Sequence, residues 1–279
     1  MAKKFFIAVF VVLCISPLVL SVGYSFLYSL GLAGLMSRGF TWMHWLSLFR
    51  GEFLESILYS FQIAAVSAFL AVSIALFLLF TVRHYLKRRN TYRMLFLPLT
   101  IPPVVLAFVI FQLYSGSGIF SRIFYQVGVI SDSRQFPELV QDPYGIGIIM
   151  AHVFLVFPFF LLVLLSLYDQ EKLDEIETVG SSLGAGKQTI LLHLQLPILI
   201  RRLFPLIVLY VIFFMGAYEI PLILGQSSPQ MISVLILEKL QRFNLGDIPV
   251  AYSMAVWYAL ICIMAISYLM MQYRKKVEA

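Results

Sequence analysis

The run Gly184-Ala185-Gly186-Lys187-Gln188-Thr189 has the residue types of a loop that wraps a phosphate, with backbone N–H groups and a lysine. That chemistry needs a further glycine five residues ahead of Gly186, where Ser181 stands. It also needs a serine or threonine after the lysine to reach a metal ion, where Gln188 stands. No apolar strand leads into the run, so no nucleotide site is expected in this chain. The four histidines, His44, His84, His152 and His193, show no paired metal-ligand spacing. Cys14 and Cys262 lie far apart inside apolar runs and give neither a disulfide framework nor a ligand pair. No nucleophile elbow and no carboxylate pair at catalytic spacing is found. The reading is of a non-catalytic chain with no cofactor and no metal of its own.

The elements that carry these residues are apolar. Hydrophobic residues make up 61% of the 279 and charged residues 12%, with mean hydropathy +0.92. Soluble domains average about 45–50% and about 25%, so the excess has to face lipid or a buried bundle. Six stretches are long enough to span a bilayer at about 1.5 Å per residue across a roughly 30 Å hydrocarbon core. They are residues 5–30, 54–82, 94–114, 144–167, 203–224 and 249–273, within a single membrane domain covering 1–279. The first follows Lys3 and Lys4, but it is too long for a signal peptide and has no small-residue cleavage site, so it is read as an uncleaved span. Pro98, Pro102 and Pro103 predict a kinked or broken third span. Trp42 and Trp45 suit an interfacial belt. Short helices are expected at 119–127 and, from the spacing of Ile232, Leu235, Ile236 and Leu240, within 226–248.

Fourteen of the 20 basic residues fall at the two termini, in the second-to-third connection and in the fourth-to-fifth connection. The other connections hold Arg38, Arg50, Arg122, Arg134, Lys239 and Arg242. The bias places both termini and residues 171–197, within the connection 169–202, in the cytoplasm. The cluster Arg83, Lys87, Arg88, Arg89, Arg93 is read as a positive-inside anchor beside membrane lipid rather than a nucleic-acid site. No internal repeat is evident, which disfavours an inverted-repeat secondary transporter.

Glu219 stands in the apolar fifth span, and His152 in the fourth is read as a satisfied, bundle-facing side chain. A carboxylate at membrane depth is costly and tends to face a cavity or a partner. Glu219, with Tyr218 beside it, either lines a pathway and meets a cationic or polar solute, or is a structural acid paired within the bundle or near the outer interface.

The longest polar interruption is 171–197. Asp174, Glu175 and Glu177 crowd the first turns of an expected helix, where the helix dipole favours acids. Leu173, Ile176, Gly180 and Leu183 fall on one face of it. Gly184 and Gly186 allow a sharp turn. A second short helix over 187–195 is expected to stop before Pro197, so that the two make a protruding knob.

Gly184, followed thirteen residues later by Pro197 with Leu196 before it, resembles the cytoplasmic signature of permease subunits of binding-protein-dependent ABC importers of type I fold. That signature runs E-A-A, three residues, Gly, nine residues, Ile, one residue, Leu-Pro. Leu183 and Ala185 match the usual neighbours of the glycine, and Leu194 stands at the Ile position. Thr178-Val179-Gly180 occupies the E-A-A positions, with Glu177 one residue early. The span count and the segments around Pro102 and Glu219 agree, so the resemblance covers about 54–273.

The resemblance implies an all-α membrane protein with six transmembrane helices and a coupling-helix loop between the fourth and fifth. It implies a second permease subunit, two ABC ATPase subunits that bind ATP and Mg, and an extracytoplasmic solute-binding protein. Glu177, Gly180, Leu183, Gly184, Ala185, Gly186, Lys187, Leu196 and Pro197 would form the surface that couples to the ATPase. The pattern is nearest to the group handling polyamines, ferric iron, thiamine and phosphonates, and Glu219 tilts the expectation to a polyamine. Two alternatives stand. An ion-gradient-driven transporter or channel would work without ATP. A membrane enzyme or assembly factor would need a cluster of reactive groups.

Overall fold

The computed structural model describes residues 2–277 except 36, 38, 50, 87 and 88. Arg38, Arg50, Lys87 and Arg88, part of the charge count above, therefore lie outside the described residues. Those residues form helices and no strand. In chain order the helices are α1 Ala2–Ser29, α2 Met43–Leu48, α3 Phe53–Leu86, α4 Arg89–Met94, α5 Pro103–Tyr114, α6 Ile119–Gln126, α7 Ile146–Gln170, α8 Leu173–Ser182, α9 Lys187–Ile190, α10 Leu196–Met215, α11 Glu219–Leu224, α12 Ile232–Gln241 and α13 Asp247–Val277. Among the described residues, six stretches are long and apolar enough to cross a membrane: Lys4–Ser29, Phe53–Leu86, Pro103–Gln126, Ile146–Gln170, Lys187–Met215 and Asp247–Met271.

The chain divides into two compact units, Met1–Leu58 with Met231–Ala279, and Tyr59–Gln230. In the first, α13 packs against α1, α2 and α12. Its core is Leu48, Phe53, Ile232, Leu235 and Met254, with Ile57, Ile236, Val250, Trp257 and Tyr258 against it. The amphipathic spacing around Ile232 thus forms α12, with Ile232 and Leu235 turned inward. The three tryptophans join one aromatic chain, Trp42 to Trp45 at 5.8 Å and Trp45 to Trp257 at 6.0 Å. The Trp45 indole N–H donates to Ser29 Oγ at 3.1 Å. Partial burial pushes the nearby His44 imidazole below its usual range. Most apolar side chains of α1 face outward, Phe6 and Leu20 each at 70% exposure, while Tyr28 near its end is buried and stacks on Tyr252 of α13, as suits a helix with most of its surface toward lipid.

The second unit holds most of α3, all of α4–α11 and the functional candidates. Proline sets its irregular points. Pro98–Thr100 is a single 3₁₀ turn, Pro102 is extended, and α5 begins on Pro103, where the missing N–H is not needed. The regular part of the third span therefore starts beyond residue 94. Helices α3 and α7 run parallel. Near their first turns the Tyr59 hydroxyl oxygen lies 3.0 Å from where a Gly145 Cβ would be. Near their last turns the Arg83 guanidinium lies 4.3 Å from the Tyr168 ring centroid. Helix α11 packs on α5 and α7, and α10 on α7. Buried in this unit, His152 stacks on Phe214 at 4.4 Å. Its ring is 2% exposed and neither nitrogen has a hydrogen-bond partner. His152 thus faces the bundle as expected, but it is held by ring stacking and not by hydrogen bonds.

Candidate functional site: the helical knob and the helix break

Helix α7 ends at Glu171, and Lys172 takes a left-handed conformation (φ 50°) that starts α8 in a new direction. Asp174 and Glu175 occupy the first turn of α8, where unsatisfied N–H groups favour acids. At its other end Gly184 has φ +83°, a conformation that costs a residue with a Cβ. Two hydrogen bonds close the turn. The Gly184 N–H donates to the Ser181 carbonyl at 3.0 Å, and the Ala185 N–H donates to the Gly180 carbonyl at 3.0 Å. This is the Schellman arrangement, and it strongly favours glycine at 184. Gly186 has ordinary extended angles, φ −70° and ψ 151°, so its role is only to start α9.

The chain returns through α9 and packs on α8 at one point. A Cβ on Gly180 would lie 2.9 Å from both Cδ1 and Cγ1 of Ile190. Both residues are buried. Gly180 departs from the alanine of the resembled signature, yet it is the small residue that lets two backbones cross. Leu173 is fully buried on the same helix, whereas Leu183, expected to share its face, caps the helix at 83% exposure. The cause is that α8 ends before Leu183 can complete the stripe. Leu183, Val179 at 59% and Leu192 at 54% are apolar side chains left open at a polar end of the unit.

The second helix does not stop before Pro197. A π turn over Leu191–Gln195 carries it straight into α10. The Leu196 N–H donates to the Leu191 carbonyl, five residues back. A proline in an ordinary helix clashes with the carbonyl four residues earlier, here that of His193, and the wider turn relieves it. The second helix of the knob and the fifth span are therefore one continuous helix, Lys187–Met215.

The π turn also swings Gln195 inward, where it is 3% exposed. Its amide donates to the Tyr168 hydroxyl and to the Leu173 carbonyl, each at 3.3 Å. The Tyr168 hydroxyl donates to Asp174 Oδ1 at 3.4 Å. From α3, Arg83 donates to the same Asp174 oxygen at 2.7 Å and stands 3.6 Å from Glu177. Glu171 and Arg202 pair at 2.6 Å, joining the end of α7 to α10. Glu177, Gly180, Leu183, Gly184, Ala185, Gly186 and Lys187 thus lie together on the knob, with Leu196 and Pro197 at the head of α10. Sequence reasoning missed Arg83, Tyr168 and Gln195 as partners. Arg83 was one of a basic cluster, and only folding brings it to Asp174, 91 positions away, and to Glu177 one turn further on.

Glu219 and Tyr218 lie elsewhere. Helix α10 ends at Met215, Gly216 to Tyr218 break it, and α11 restarts on Glu219. Glu219 is exposed and Tyr218 half-buried. No described residue forms an ion pair with Glu219, so the paired-acid reading finds no partner among the described residues.

No family model matches the chain, and no curated protein matches it. Among solved structures the chain is similar to one from a bacterial ABC transporter involved in the import of the acidic polysaccharide alginate. The likeness has a TM-score of 0.66 at 14% identity and covers 98% of this chain and 96% of that one. The described residues thus share that structure's fold, all-helical with six helices long and apolar enough to cross a membrane.

Proposed function

We propose that the chain is the transmembrane subunit of an ATP-driven importer of the ABC class, forming one half of a solute pathway and catalysing no chemistry itself. The observation that carries this reading is the knob. Two short helices cross at Gly180 and Ile190, turn on Gly184 and run unbroken into a spanning helix. Such a part has an evident use as a lever for a soluble motor. The apolar side chains at its tip, Val179, Leu183 and Leu192, fit the surface of a docking partner. Two ATPase subunits holding ATP and Mg are the proposed partners, with a second permease subunit and an extracytoplasmic solute-binding protein. The charge bias puts the knob and both termini in the cytoplasm. ATP-driven closure of the ATPases brings the knobs together, and the continuous helix moves the fifth span.

Glu219 and Tyr218 sit at the break in that moving helix and are the proposed pathway contacts. A carboxylate at this depth that is exposed and unpaired among the described residues needs water or a cation. That supports a cationic solute such as a polyamine. It speaks against a polyanion of the kind the alginate transporter imports. Thermal-shift screening of the partner binding protein against spermidine, putrescine, ferric iron, thiamine, phosphonates and alginate oligomers tests the solute. Stabilisation by the anionic solutes alone would overturn the polyamine reading. For coupling, deleting residues 184–186 is expected to leave the chain inserted but to release the ATPase, so that ATP hydrolysis no longer drives uptake.

A further inference from the structure

The basic cluster after the second span reads as an anchor, but Arg83 does not point to a lipid surface. Its side chain is 15% exposed, stacked on the face of Tyr168 at 4.3 Å and hydrogen-bonded to Asp174 at 2.7 Å. Tyr168 is 1% exposed and takes the Gln195 amide on its hydroxyl. One guanidinium therefore meets α3, the end of α7, the knob helix α8 and, through Tyr168, the π turn that leads to α10. We infer that Arg83 is the positioning residue that ties the second span to the knob, so that movement of the knob carries α3 along with α7 and α10. The inference rests on the importer reading above and assigns a role within it.

The geometry separates this role from simple anchoring. Helix α8 is joined to α7 by the chain and to α10 by the Gly180–Ile190 crossing and Gln195, so these two spans follow the knob by packing. Helix α3 is not joined to the knob by the adjoining chain, and Arg83 reaches it by a ring stack and two ion pairs. The acids it uses, Asp174 and Glu177, lie one turn apart on α8, at 2.7 and 3.6 Å from the same nitrogen of Arg83. A small rotation of α8 exchanges one acid for the other without letting go of α3. The planar fork stacked on Tyr168 suits arginine and not lysine, because only a guanidinium both stacks flat and donates in its plane. Asp174 is 63% exposed at its side chain, so the pair is screened and adds little to stability. Its use is directional.

The test follows motion without needing the solute. The complex purified with its ATPase is placed in nanodiscs, with Cys14→Ser and Cys262→Ser removing the native thiols and Leu222→Cys on α11 as the reporter. Labelling by a charged thiol reagent is timed with and without ATP and vanadate, alongside ATP hydrolysis. Arg83→Gln is expected to keep the ATPase bound and hydrolysing, while the ATP-dependent change in labelling falls about tenfold. Arg83→Lys should restore it in part, because it keeps the charge on α3 but not the flat stack on Tyr168, and the exchange of Arg83→Asp with Asp174→Arg should restore less, because it takes the guanidinium off Tyr168 and sets a carboxylate beside Glu177. Labelling that responds to ATP as in the parent would overturn the inference. Loss of ATPase binding together with hydrolysis, with no rescue by Arg83→Lys, would make Arg83 merely structural and would also overturn it. A parent chain that carries no ATPase, or whose labelling ignores ATP, would fail the importer reading itself, before any variant is compared.

Discussion

The Cβ that Gly180 lacks would fall 2.9 Å from Cδ1 and Cγ1 of Ile190, so the crossing of α8 and α9 leaves room for the smallest side chains alone. Gly180→Ala removes the backbone entropy of a mid-helix glycine, a gain of about 0.5–1 kcal/mol that roughly offsets the squeeze on Ile190. Gly180→Leu has no such balance and is expected to cost about 1–3 kcal/mol by overpacking. Affinity purification should recover bound ATPase with the alanine variant and little with the leucine variant. Equal recovery would mean that the crossing does not shape the docking surface.

Gly184 is the second backbone requirement. Its φ of +83° makes Gly184→Val expensive by about 1–2 kcal/mol or more, whereas Gly184→Asn should be milder because asparagine tolerates the left-handed region. Gly186, in ordinary angles, should accept alanine with little effect. Limited proteolysis of the knob in membranes would rank the three. Cleavage of Gly186→Ala as fast as Gly184→Val would contradict the turn assignment.

Much of this was legible in the sequence, for physical reasons. Spans report themselves because about 20 apolar residues in a row have few other uses, and proline marks irregular points such as 98–103 wherever they fall. The left-handed turn at Gly184 shows as a glycine after an amphipathic stretch. Pro197 misled, because the rule that a helix ends before proline assumes ordinary helical register, and the π turn at Leu191–Gln195 escapes it. Arg83 and Gln195 were illegible because their partners are distant in sequence and their types, basic and amide at the end of a span, are common at any membrane surface. His152 was legible as buried, but not its lack of hydrogen bonds, since a ring stack with Phe214 leaves no local pattern.

Gln195 tests whether the π turn serves the network. Gln195→Leu keeps the volume but removes the amide donor from the Leu173 carbonyl and the Tyr168 hydroxyl, at a cost of about 1 kcal/mol. The thermal midpoint of the detergent-purified chain should fall. An unchanged midpoint would mean that water replaces the amide.

Glu219→Gln should leave expression and ATPase binding intact and lower uptake of a cationic solute, chiefly by raising the apparent KM, because it removes a charge from the pathway without changing its shape. Unchanged uptake at normal expression would return Glu219 to a structural role.

The central claim is that the knob receives work from an ATPase. The most direct measurement is to purify the tagged chain from its own membranes in mild detergent, identify co-purifying P-loop ATPase by mass spectrometry and quantify it beside a chain lacking residues 184–186. The account predicts an ATPase in stoichiometric amount with the intact chain, and its loss from the deleted chain while the six spans remain inserted. An intact chain that transports with no ATPase bound, or an ATPase that stays bound without the turn, would contradict it.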